Sequence, residues 1–159
     1  MAGDHFFKKL DFGSGRYKFI IVSSQGKSLD PILNELTDKG YPVLDAGHEL
    51  SLSLSSLTNI KNISIEAEDC LRSILNQRSA SAPDKPLFLH NPGILADPSL
   101  KLDPENILKN FSRNHPLVIL WEGEIEQPAL LHWGSYKDTF NLNFNEISPL
   151  IILVDHEIQ

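Results

Sequence analysis

Gly26, Lys27 and Ser28 follow the apolar stretch Tyr17-Lys18-Phe19-Ile20-Ile21-Val22, and a helix-like segment comes next. Strand, Gly-Lys-Ser, helix is the layout of a phosphate-binding loop. There, successive backbone N–H groups wrap an anion, the lysine reaches the terminal phosphate oxygens and the hydroxyl holds Mg²⁺. The residues that would do this here are Ser24, Gln25, Gly26, Lys27 and Ser28. The full pattern, G-x-x-x-x-G-K-[ST], places a glycine where Ile21 stands, inside the strand. Only Ser23, Ser24 and Gln25 separate Val22 from Gly26, about two residues short of the usual curl. Spacing leaves two readings open. One is a shortened loop that still grips a nucleotide, with ATP and Mg²⁺ as candidate cofactors. The other is a tight strand-to-helix turn that binds nothing.

A hydrolytic site of this kind also needs an acid at a neighbouring strand tip, to hold the metal and activate the nucleophile. The strand Leu87-Phe88-Leu89 ends in His90-Asn91, and neither residue brings a negative charge. Asp97 follows only after a loop containing Pro92-Gly93; it reads as a substitute acid or, more simply, as a loop cap. Arg113 and Asn114 precede the strand that ends at Trp121. Arg113 could meet a γ-phosphate or a neighbouring subunit, or merely complement a helix C-terminus. The six histidines show no H-x-x-x-H spacing and there is no C-x-x-C pair, so no zinc site is predicted. Trp121 and Trp133 read as partner anchors or as residues buried against the sheet.

These residues need a scaffold of alternating strands and helices. Strands are predicted over 17–22, 41–44, 87–89, 116–121 and 150–154. Leu29, Ile32, Leu33 and Leu36 recur at helical spacing, and Gly40 ends that helix. Pro31 cannot donate to the Lys27 carbonyl, so the helix should begin near Ser28, with Ser28 as its N-cap. Leu50 to Leu57 alternates with serine and fits either a strand or a helix. A helix is predicted over 64–78, capped by Ser64, and another from Asp103-Pro104 onward. Residues 122–140 read as loop or edge hairpin. The result is an α/β domain over 17–159 with a mostly parallel sheet, preceded by a flexible leader over 1–16.

The 159 residues suit one core-forming domain, with 41% hydrophobic and 22% charged residues. Net charge is −7 and the longest basic run is Lys8-Lys9, which argues against direct nucleic-acid binding. No apolar run approaches the ~20 residues of a membrane span, and the N-terminus does not read as a secretory signal. Cys70 is the only cysteine and lies among Leu71, Ile74 and Leu75, as a core residue would. A cytoplasmic protein is expected.

Leu95-Ala96-Asp97-Pro98-Ser99-Leu100-Lys101-Leu102-Asp103-Pro104, Phe111-Ser112-Arg113-Asn114 and Trp121-Glu122-Gly123-Glu124 resemble the BrxF proteins. These are small P-loop proteins of BREX bacteriophage-exclusion systems. Gly47-His48-Glu49-Leu50-Ser51 is similar to the family's segment that enters a helix after the second strand. The likeness runs from about Tyr17 to Val154. It implies a three-layer P-loop NTPase-like fold and a role beside the BREX components, including a large ATPase, as protein partners. On this match Gly26, Lys27 and Ser28 take the phosphate-loop positions, and His90 and Asn91 take the acidic strand-end position. The shortened loop and the missing acid predict an accessory subunit acting through nucleotide binding or protein contacts rather than its own hydrolysis. An ATPase completed by a partner subunit and a pure scaffold are the alternatives.

Overall fold

The computed structural model describes residues 10–12, 15–56, 63–132, 141–147 and 149–154. Five strands form an all-parallel sheet: β1 (Phe19–Ser23), β2 (Val43–Asp45), β3 (Leu87–His90), β4 (Leu117–Trp121) and β8 (Leu150–Leu153). Their order across the sheet is β2-β3-β4-β1-β8. β1 and β4 are buried throughout, because strands covered on both faces can afford no polar alternation. Successive side chains divide between the faces. Ile20, Val22, Val118 and Leu120 point to one cluster; Phe19, Ile21, Leu117 and Ile119 point to the other.

Helix α1 (Asp30–Asp38) covers the first face through Leu36, with Ile32 and Leu33 beside it. Leu10 and Phe12, inside the segment expected to be a leader, pack on the same face. Helices α2 (Ala46–Ser55), α3 (Ile63–Ala80) and α4 (Pro104–Asn114) cover the second face. Also on this face is a small antiparallel sheet of β5 (Glu124–Glu126), β6 (Leu130–His132) and β7 (Asn141–Asn143). Of the loop or edge hairpin expected over 122–140, the part described is a hairpin, and it belongs to this second sheet. Residues 133–140, Trp133 included, lie outside the described residues.

The helix boundaries show what sets them. α1 ends as predicted at Gly40, whose φ is +78°. The Gly40 amide donates to the Thr37 carbonyl and the Tyr41 amide to the Leu36 carbonyl, each at 3.0 Å, a complete Schellman closure. α1 starts later than expected. Leu29 is the N-cap with no side-chain bond, and Pro31 sits in the first turn. Ser28 lies one residue further out, its Oγ accepting from the Asp30 amide at 3.1 Å. The ambiguous serine-leucine stretch is helical as far as Ser55; Leu50 is buried in the core and Asp45 caps the N-terminus. α3 begins at Ile63, so Ser64 is within the helix rather than its cap. Asp103 caps α4 as predicted, with Pro104 following it.

Candidate functional site

The chain leaves β1 toward the α1 face and leaves β4 toward the opposite face. The carboxyl ends of these adjacent strands therefore diverge, and a crevice at such a reversal is where open α/β sheets receive ligands. Here it is a groove of about 320 Å³ lined by Leu29, Asn91, Pro92, Leu120, Trp121, Glu122 and Gly123. Leu29, just past the Gly-Lys-Ser turn, is the residue that follows β1 in this lining.

That turn is closed on itself. Gln25 and Gly26 both have positive φ, +54° and +84°, as the two central residues of a type I′ turn do. The Lys27 amide donates to the Ser24 carbonyl at 3.1 Å, and the Ser24 hydroxyl donates to the Lys27 carbonyl at 2.6 Å. Two more amides are directed at β4: Ser24 to the Trp121 carbonyl and Gly26 to the Glu122 carbonyl, both at 3.0 Å. The Gln25 amide donates to Ser23 Oγ at 3.1 Å. Every amide from Ser24 to Lys27 is thus given to the protein, whereas a phosphate cradle turns its amides to the anion. Gln25, Gly26, Lys27 and Ser28 are exposed. Because α1 begins at Asp30, Lys27 and Ser28 precede the helix instead of opening it.

His90 and Asn91 do lie at a neighbouring tip, on β3, one strand beyond β4. Burial holds the His90 imidazole below its usual pKa against the pull of Asp45, Glu122 and Asp30. Asn91, at φ +53°, is engaged in structure. Its Nδ2 donates to Asp45 Oδ1 at 2.9 Å, and its carbonyl accepts from the Gly47 amide at 2.9 Å. Asp97 takes the cap role, accepting from both the amide and the hydroxyl of Ser99. Trp121 is 3% exposed and donates its indole N–H to the Glu124 carbonyl at 2.9 Å; it anchors the sheet rather than a partner.

Arg113 and Asn114 are not brought to this site. They end α4 at the opposite, amino edge of the sheet. There the Arg113 guanidinium lies 5.5 Å from the Tyr17 ring centre, and the Lys18 amide donates to the Ser112 carbonyl. The guanidinium's hydrogen bond to the Tyr17 hydroxyl lowers the phenol pKa. β1 separates this edge from the Gly-Lys-Ser turn by five residues, about 16 Å. Within one chain Arg113 does not serve the turn.

Two acids at strand tips were missed. Glu122 follows β4, the strand beside β1, and is exposed; Asp45 ends β2. The signal is in both strand ends: Asp45 directly follows Val43-Leu44, and Glu122 directly follows Trp121. Burial raises the Asp45 carboxyl, yet hydrogen bonds from the His48 and Asn91 amides, with the nearby imidazoles, outweigh it and leave the pKa below normal. A carboxyl depressed in the fold contributes stability above its unfolded value, about 3.9, and loses it as pH falls through the folded value. Wild type should therefore lose more stability than Asp45→Asn between pH 5 and pH 3, by urea midpoints, since Asn keeps the acceptor without titrating. Equal pH profiles would remove Asp45 from this role.

No His, Cys, Asp or Glu group of three or more among the described residues is arranged to hold a metal ion. No helix among them is long and apolar enough to cross a membrane. The fold and site define an α/β protein with a parallel five-stranded sheet and a closed Gly-Lys-Ser turn at its switch point. Comparisons with protein-family models, curated proteins and solved structures find no match to this chain.

Proposed function

We propose that the chain is a subunit on a P-loop-like scaffold that works through protein contacts and does not hydrolyse nucleotide by itself. The observation that carries this reading is the donation of the Ser24 and Gly26 amides to the Trp121 and Glu122 carbonyls. An anion entering the turn would first have to break those bonds, and it would gain Lys27 as its charged partner there. Removing positioned donors and the metal-holding acid costs several powers of ten in phosphoryl transfer. The BrxF-like strings support a role for such a subunit in a cytoplasmic phage-exclusion complex, beside a large ATPase.

The isolated protein should show no ATP hydrolysis above background, and titration calorimetry with ATP·Mg²⁺ up to millimolar concentration should give no heat and no melting shift. Turnover that vanishes in Lys27→Ala would overturn the proposal. A second reading, hydrolysis completed by a partner subunit, is favoured by one observation: the exposed Glu122 carboxylate on the strand beside β1. Stimulation by the partner ATPase, lost in both Lys27→Ala and Glu122→Gln, would establish that reading instead.

A further inference from the structure

α3 and α4 do not close against each other along their whole length. Between them is a cleft of about 420 Å³. α3 gives it Arg72, Leu75, Asn76 and Ser79, and α4 gives it Ile107, Asn110, Phe111 and Asn114. Both sets follow i, i+3, i+4, i+7 spacing, the stripe by which neighbouring helices ordinarily interdigitate. Here only Leu75, Ile107 and Phe111 are apolar, and they make the floor. Asparagine occupies positions where aliphatic side chains would have sealed the seam.

The cleft's polar chemistry is almost uncharged. No carboxylate lines it. Arg72 is its one fixed cation and is paired with Glu68 at 3.5 Å. His115, at the end of the cleft, has its Nε2 2.9 Å from the Lys85 carbonyl. Three carboxamides, those of Asn76, Asn110 and Asn114, are in the lining, and none of them hydrogen-bonds within the described residues. A carboxamide offers one donor side and one acceptor side, so it can pair through two bonds with the N–H and C=O of one residue in an extended chain, which face the same side. Asn110 and Asn114 are one i, i+4 step apart, a rise of about 6 Å. Alternate residues of an extended chain repeat at about 6.6 Å. The two spacings match closely enough for successive carboxamides to meet the N–H and C=O of alternate residues of one strand.

We propose that this cleft binds an extended peptide segment of a partner protein, with Asn110 and Asn114 pairing to its main chain and an apolar side chain seated on Leu75, Ile107 and Phe111. The inference rests on the proposed function only for the idea that the chain works through protein contacts. The site is separate from the Gly-Lys-Ser turn.

The test uses a display library of random dodecapeptides selected on the full chain, counter-selected on Asn110→Ala/Asn114→Ala. Enriched peptides should carry an apolar residue at a fixed position. By fluorescence anisotropy they should lose about tenfold or more in affinity for the double variant, the scale of a few lost hydrogen bonds. N-methylation of alternate main-chain amides in the peptide should weaken binding similarly. Circular dichroism checks that the variant folds, and Asn76→Ala on the facing helix supplies a second variant. Peptides that bind both forms equally, or an absence of enrichment, would overturn the proposal, as would a nucleobase or inorganic phosphate occupying the cleft. Lys27→Ala should bind the peptides as wild type does, so an unexpected ATPase result leaves this outcome intact.

Discussion

Phe88→Ala should lower the unfolding free energy by about 3–5 kcal/mol, the usual range for emptying a buried aromatic site. For a chain of this size that corresponds to a melting temperature lower by roughly 6–20 °C. Phe88 has no exposed surface and sits at the middle of β3, in register with Val43 and Val118. Its ring meets Tyr41 edge-on at 5.4 Å, and Lys85 Nζ lies 5.0 Å from the Tyr41 ring centre. Tyr41 also completes the Schellman closure of α1. One aromatic contact thus joins the end of α1 to the strand that carries His90 and Asn91. α1 is the only helix among the described residues on this face, so no second helix is placed to collapse into the void. Urea unfolding followed by circular dichroism measures the loss. A decrease below about 1 kcal/mol would mean that α1 is not clamped over the sheet as described.

How much of this was readable from the chain follows from the range of the interactions involved. The parallel strands announced themselves because burial on both faces demands unbroken apolar runs such as Ile20-Ile21-Val22 and Leu117-Val118-Ile119-Leu120. Gly40 and Asp103 were legible because a positive φ and a side-chain cap are local requirements. The Leu50–Leu57 stretch was not, since serine-leucine alternation satisfies both periods until packing against the core selects the helix. The short spacing left a tight turn as one of two readings. It could not reveal that the turn's amides are held by Trp121 and Glu122 carbonyls, which arrive from a distant part of the sequence. The same limit hid the distance of Arg113 from Lys27: sequence places both near strand ends but does not say which end of the sheet each occupies.

Gly47→Ala should destabilise the protein by about 1–3 kcal/mol, against the ordinary rule. In the first turn of a helix, replacing glycine by alanine normally gains about 0.5–1 kcal/mol. A Cβ at position 47, however, would stand 2.5 Å from Asn91 Nδ2 and 3.1 Å from the Asn91 carbonyl oxygen. Asn91 cannot withdraw without loss. Its carbonyl holds the Gly47 amide and its carboxamide holds Asp45, whose other partner is the His48 amide. Displacing it would undo the link between the tips of β2 and β3. Asn91 is also at φ +53°, a conformation that glycine adopts more easily, so Asn91→Gly removes the obstruction without backbone strain. The double variant Gly47→Ala/Asn91→Gly should then lose less than the sum of the single losses by more than about 0.5 kcal/mol, the coupling expected of residues in contact. Strict additivity, or a stabilised Gly47→Ala, would show that the Asn91 side chain swings aside freely. The strand-tip row beside the Gly-Lys-Ser turn would then be pliable, and a phosphate could reopen that turn at much lower cost than its hydrogen bonds imply.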